Sequence, residues 1–295
     1  MRGLAVLALG LAALGASAEP PSRSAADPGP PPPERVVRLA DPPAPGDRTV
    51  DVVPGGVARW AGEGIALCGD ARETWKPVGG ACYYPVDLGQ AEGALAIFRE
   101  GPAGRETAAL RVLPAPYAEE NLEVDPRKVR LSRKDRRRVE RERRTVTPLF
   151  SLRTHPVFSF PLAPPLESAP PPRNFGTRRV FNEEPRTPHG GADYRARNGT
   201  PVLAADAGLV VLAASHFFAG RSVYVDHGGG LLTMYMHLSR IDVKPGRHVA
   251  RGEPVGLSGA TGRVTGPHLH FGIRWRGARV DPSLLLGDPA ALPSP

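Results

Sequence analysis

Several things are missing from this sequence, and each absence narrows the reading. The apolar stretch near the start, Leu4 to Leu14, is about 11 residues long, whereas a membrane-spanning helix needs about 20. No cysteine follows that stretch, which leaves a lipoprotein-type anchor without support. Cysteine is scarce altogether, with only Cys68 and Cys82 among 295 residues. No His-Glu-x-x-His sequence occurs, so a glutamate base on a metal-binding helix is not available. The C-terminal third shows no amphipathic helical period, and residues 47–115 contain no catalytic constellation.

What is present begins with Met1-Arg2, the apolar run and Ala16-Ser17-Ala18. Together they have the form of a secretory signal over residues 1–18, so the chain is expected in the periplasm or cell envelope. An oxidising compartment permits a Cys68–Cys82 disulfide; a closed loop of about 15 residues is worth roughly 3 kcal/mol by chain entropy. Residues 19–46 include Pro28-Gly29-Pro30-Pro31-Pro32-Pro33 and read as an extended tether. The net charge of +8 is unevenly spread: residues 126–144 hold 11 basic and 3 acidic side chains. Within them Ser132 caps an expected helix from Arg133, with Asp135 in its first turn. Such a segment suits a solvated linker helix, or attraction to an anionic polymer or membrane surface. Export makes nucleic acid an unexpected partner.

Short apolar runs separated by turn residues, Thr49 to Val53, Ala94 to Phe98 and Thr107 to Leu113, predict a small β domain over residues 47–115. Trp60, Trp75, Tyr83 and Tyr84 offer either its core or a sugar-stacking surface, and core is the commoner fate. A basic helix and proline-rich linker fill residues 116–173. Residues 174–287 are again β-favouring, with Val202 to Ala214, Ser222 to Asp226, Leu231 to Leu238 and His268 to Trp275 separated by glycines, and 288–295 is a tail. The expected fold class is mainly β: a C-terminal antiparallel sheet domain, a smaller N-terminal β domain and a short basic helical linker.

Seven of the eight histidines lie between residues 189 and 270. His189-Gly190-Gly191-Ala192-Asp193 places two ligand types four apart, about 13 Å in a strand and too far to share an ion. A turn at the glycine pair would bring them together. His268 to Trp275 alternates: Leu269, Phe271, Ile273 and Trp275 share one face, and His268, His270, Gly272 and Arg274 the other. In Leu231 to Leu238, the residues Thr233, Tyr235 and His237 share a polar face. His227, beside a glycine turn, reads as structural; His216 and His248 read as exposed loop residues, and His155 lies outside the domain.

Taken together, these segments resemble the M23 peptidases, the lysostaphin and LytM-type family of peptidoglycan endopeptidases, over about Asn174 to Leu286. The likeness rests on His189 and Asp193, on Tyr235-Met236-His237-Leu238, on Gly259-Ala260-Thr261-Gly262, on Gly266-Pro267-His268-Leu269-His270 and on Val280-Asp281-Pro282. It implies one zinc ion held by His189, Asp193 and His270, with His237 and His268 flanking the reactive water and peptidoglycan as substrate. Two imidazoles and one carboxylate leave an open fourth position, the pattern of catalytic zinc. With no glutamate base present, a histidine must take the water's proton, and His268 is the first choice with His237 as partner. Some relatives of that family are non-enzymatic regulators of other wall hydrolases; they lack ligands, whereas all five residues stand here.

Overall fold

The computed structural model describes residues 48–122, 131–169, 172, 174–181, 184–185 and 187–295. The signal-like start, the proline tether and residues 126–130 of the basic segment lie outside them. The N-terminal strands are β1 (Thr49–Val52), β2 (Val57–Ala61), β3 (Leu67–Asp70), β4 (Thr74–Trp75), β5 (Ala81–Pro85), β6 (Gly93–Gly101) and β7 (Gly104–Val112). They form a five-stranded sheet ordered β1-β7-β6-β3-β4 and a two-stranded ribbon of β2 and β5. A disulfide joins Cys68 on β3 to Cys82 on β5, tying sheet to ribbon.

β8 (Glu119–Leu122) leads to α1 (Arg133–Val146), which begins where the sequence places it. Ser132 accepts the Asp135 amide at 3.1 Å, and Arg143 and Arg144 occupy the last turn, so cap and charges suit the helix dipole. Thereafter come β9 (Arg178–Phe181), β10 (Glu184–Pro185), β11 (Ala192–Arg195), β12 (Pro201–Leu203), β13 (Gly208–His216), β14 (Gly220–Gly228) and β15 (Leu231–Leu238). The chain then runs through β16 (Arg240–Ile241), β17 (His248–Val249), β18 (Pro254–Leu257), β19 (His268–Trp275), β20 (Ala278–Val280) and the short α2 (Pro282–Leu286). A seven-stranded antiparallel sheet ordered β11-β19-β15-β14-β13-β17, with β20 on β19, carries the site residues. The fold is mainly β, as the periodicity implies.

Alternation on β19 is strict: Leu269, Phe271 and Ile273 are fully buried and Trp275 nearly so. Their face meets Tyr194, Val223 and Tyr235 in the largest core. The opposite face is not left to water. Tyr224, Leu232 and Met234 pack under Val146, Leu149 and Phe150 from the end of α1 and the 3-10 turn after it. Glu142 on α1 also accepts the Phe217 amide at 2.9 Å, fixing the helix to the β13–β14 hairpin.

The β2–β5 ribbon stands between two cores. Val57, Ala81 and Tyr83 point into the core of the seven-stranded sheet, where the Tyr83 ring lies 5.3 Å from Trp275. Ala58, Trp60, Cys82 and Tyr84, the alternate residues, point into the N-terminal core. Trp60, Tyr83 and Tyr84 are therefore core residues, and Trp75 is half-buried beneath Arg276. The ribbon acts as a wall shared by two rooms. Ion pairs seal its margins: Glu73 meets Arg153 and Arg276, and Asp87 takes Arg279 through both carboxylate oxygens.

Candidate active site

β11 and β19 are antiparallel neighbours in a register that sets Asp193 opposite His270 and Arg195 opposite His268. Directly opposed residues project from the same face. One strand pair thus gathers a carboxylate and two imidazoles before any loop contributes. His189 precedes β11 and folds back over it, so its Nε2 lies 2.9 Å from Asp193 Oδ1 and 3.0 Å from His270 Nδ1. His270 Nδ1 is itself 2.8 Å from Asp193 Oδ1.

The glycine pair serves a different purpose from the one its turn propensity suggests. Neither Gly190 nor Gly191 takes a left-handed φ. A Cβ on Gly191 would sit 2.6 Å from His270 Nε2 and 2.7 Å from the Phe271 carbonyl oxygen, so glycine is required there for room. His189 is oriented from behind, its Nδ1 donating to the Asn174 carbonyl oxygen at 2.8 Å. A carbonyl only accepts, so Nδ1 holds the proton and Nε2 presents its lone pair to the site. Asn174 also accepts the Asp193 amide on its side-chain oxygen at 3.1 Å, and so steadies two of the three donors.

His237 reaches the same place by an irregular route. Strict alternation on β15 pairs Tyr235 with Phe271 and Met236 with His270, which would turn His237 toward the core. Between the pairs Val223–Tyr235 and Arg221–Leu238, Ser222 alone faces Met236 and His237, a β-bulge in β15. His237 there adopts φ 64°, rare for a residue with a side chain. Its ring swings to 4.8 Å from His268 and 6.0 Å from His270. The bulge is held by the His237 amide on Ala219, by His237 Nδ1 donating to Thr261 at 2.9 Å, and by Thr261 Oγ1 on Leu238. Gly220 allows this: a Cβ there would meet Thr261 at 2.4 Å. Thr233 and Tyr235 do not share the site with His237; both are fully buried in the core.

His268 Nδ1 donates to the Gly266 carbonyl oxygen at 2.9 Å, leaving Nε2 bare and 3.7 Å from Asp193 Oδ1. His237 and His268 therefore have the same tautomer and the same bare Nε2. Burial, with the charge of His270 nearby, lowers the His237 pKa to about 4. Burial also lowers that of His270. For Asp193 burial opposes ionisation and is the largest influence, yet the adjoining His189 and His270 rings outweigh it and hold the carboxyl far below the usual range.

The donor set fits a metal ion. His189, Asp193 and His270 offer atoms that all lie within 4.8 Å of one another, and two ligands on one zinc stand within roughly 4 Å. The His189 Nε2 lone pair, His270 Nδ1 and a carboxylate oxygen at such short range suit a shared cation. Beside them opens a cleft of about 700 Å³ lined by Asp193, Asn174, Arg195 and Arg197, together with Glu167 and Ser168.

A model of peptidase family M23 matches residues 187–282. A crystal structure of a candidate M23 peptidase from Pseudomonas aeruginosa is 30% identical, superposes over 80% of this chain and 95% of that one, and gives a TM-score of 0.62. This chain belongs to peptidase family M23. Peptidoglycan DD-endopeptidase ShyA of Vibrio cholerae is 47% identical over 109 residues, covering 37% of this chain and 25% of that protein. ShyB of the same organism, also named a peptidoglycan DD-endopeptidase, is 43% identical over 94 residues, covering 32% and 22%. The match therefore spans about a quarter of the length of these curated relatives.

Within this M23 chain the remaining histidines sort clearly. His216 is buried at the end of β13, its Nδ1 2.8 Å from Ser222 Oγ; the exposed loop expected from sequence is instead the end of a strand. His248 is exposed, on the short strand β17. His227 is fully buried and structural. Its Nδ1 donates to the Ala207 carbonyl oxygen at 2.7 Å, so Nε2 accepts from the Thr233 hydroxyl at 2.8 Å. The Thr233 oxygen in turn receives the Tyr235 hydroxyl at 3.0 Å, and Tyr235 receives the Ala205 amide at 2.8 Å. Asn174, Thr261 and Gly266, which orient the site histidines, carry no signal of their own in the sequence. The last two lie within its glycine-rich stretches.

Proposed function

We propose that this protein is a zinc-dependent endopeptidase of the cell envelope that hydrolyses peptide bonds in the stem or cross-link peptides of peptidoglycan. The observation that carries this reading is the convergence of His189 Nε2, Asp193 Oδ1 and His270 Nδ1 beside two histidines with bare Nε2 atoms. The names of the Vibrio relatives support the substrate.

His189, Asp193 and His270 would hold the ion, two neutral imidazoles and a carboxylate leaving one position open, as in catalytic zinc sites. Zinc bound there would polarise a peptide carbonyl and lower the pKa of a water toward about 7. The protein's own part is proton handling. His268, with Nδ1 committed to Gly266, can receive a proton only at Nε2, the act of a general base. It is also less buried than His237, and so more open to an incoming substrate. Once protonated it can return that proton to the departing amine. His237 Nε2, bare in the neutral form, orients the attacking water by accepting a hydrogen bond, and stabilises an oxyanion only after gaining a proton. On the same reading, the exposed Arg133, Arg137, Arg141 and Arg144 of α1 give a salt-sensitive attraction to anionic wall polymer.

The test is incubation of the zinc-loaded full chain with purified peptidoglycan, reading released muropeptides by mass spectrometry. His270→Ala is expected to lose both metal and cleavage. Retention of full cleavage by that variant would overturn the assignment, and the absence of any cleavage by the unaltered protein would favour a regulator of other hydrolases.

A further inference from the structure

We infer that Arg195 binds a carboxylate on the substrate residue bordering the scissile bond. The inference rests on the peptidase reading above and narrows its substrate. Arg195 lies opposite His268 in the β11–β19 register, as Asp193 lies opposite His270. Side chains so paired leave the sheet from the same face with Cβ atoms about 4.5–5.5 Å apart. The guanidinium is therefore rooted one cross-strand step from the histidine that serves the scissile bond, and it lines the cleft that opens at Asp193.

Its partners, or their lack, point the same way. Elsewhere arginines are mostly engaged: Arg111 with Asp51, Arg240 with Asp242, Arg251 with Asp206, Arg279 with Asp87. Among the described residues, neither the Arg195 nor the Arg197 side chain has a hydrogen-bond or ion-pair partner, although both line one cleft. Asp193, the nearest acid on their strand, is taken up by His189 and His270. Glu167 also lines this cleft but makes no ion pair with either arginine. A planar guanidinium left free in a peptide-sized cleft matches a carboxylate in geometry and charge, and two parallel N–H donors fix its orientation.

Reach decides which residue carries that carboxylate. From its position across from His268, Arg195 addresses the residue adjoining the bond that is cut. In a cross-link from D-alanine to diaminopimelate, the carbon bearing the scissile nitrogen also bears a free carboxylate. A glycine bridge offers no such group. The site is accordingly one for an acid-bearing amine side, and amidation of that acid removes the contact.

The experiment uses the zinc-loaded full chain and two cross-linked muropeptide dimers that differ only in whether the diaminopimelate carboxylate beside the scissile bond is free or amidated. The unaltered protein is expected to cleave the free acid with kcat/KM about 10- to 100-fold higher, the size of one charge-assisted bond. Arg195→Gln is expected to abolish the preference for the free acid with the zinc content unchanged, and Arg195→Lys to restore part of that preference. Equal cleavage of both dimers by the unaltered protein, or a preference that survives Arg195→Gln, would overturn the assignment of Arg195 while leaving the peptidase reading intact. Cleavage of neither dimer would overturn that reading and this inference with it.

Discussion

Asn174 accepts the His189 Nδ1 proton on its main-chain oxygen and the Asp193 amide on its side-chain oxygen, at 2.8 and 3.1 Å. One residue thus orients two of the three proposed ligands from behind. Groups in that position commonly change metal affinity 10- to 100-fold when removed. Only the side-chain half of this support is open to mutation, so Asn174→Ala is expected to weaken zinc binding up to about tenfold. Asn174→Asp, which keeps the accepting oxygen, is expected to weaken it less. Competition with a chelator measures both.

His237 owes its place to a backbone that few residues accept. Asn tolerates a left-handed φ, whereas a β-branched residue there is strained by roughly 1–3 kcal/mol. His237→Val is therefore expected to lower the unfolding midpoint more than His237→Asn. Both are expected to lose turnover by about 10²-fold or more while keeping zinc. Calorimetry and metal analysis on the two variants check the split.

Acid is expected to destabilise the fold through His227. Burial lowers its pKa below 6.5, and burial lowers that of His216 likewise. In each case the unfolded chain takes up a proton first, so the unfolded state binds more protons as pH falls past about 6.5, and stability falls with it. The contribution is complete above that pH and is lost on the way down to the folded pKa. His227→Gln is expected to lower stability at pH 7.5 but to flatten its decline toward pH 5, as read from denaturant midpoints. An unchanged slope would show that His227 takes up its proton equally in the folded and unfolded states.

The shared wall makes the N-terminal half a determinant of the catalytic half. Tyr83→Ala removes a buried ring that rests on Phe160 and Trp275, and is expected to cost roughly 3–5 kcal/mol, as for other large aromatic truncations. The loss should appear as one earlier transition, with zinc release and unfolding coincident. A fragment beginning at Asn174 would bare Trp275 on the face that Tyr83 covers, and is expected to be less soluble than the full chain.

Much of this architecture was legible in residue order. Strand alternation from His268 to Trp275 gave the buried face and set His270 beside His268, because a period of two leaves little choice. Ser132 and Asp135 marked the helix start for equally local reasons. His237 shows where such reasoning stops. Its alternation assigned it to the face of Tyr235, and a bulge that depends on Gly220 and Thr261, distant in sequence, reversed that. His216 shows a similar limit: it is buried against Ser222 and Tyr224 of the next strand, which its own neighbours in sequence do not reveal. The glycine at 191 stands out in the sequence, but the room it provides does not, since the atom it makes room for belongs to His270.

A strand with two faces and a core on each leaves the chain no hinge there. Ala81 and Tyr83 are anchored in one half, and Cys82 and Tyr84 in the other. The hydrolase half therefore cannot be lifted out as a portable module, and an insertion of a single residue in β5 would exchange the contents of both cores at once.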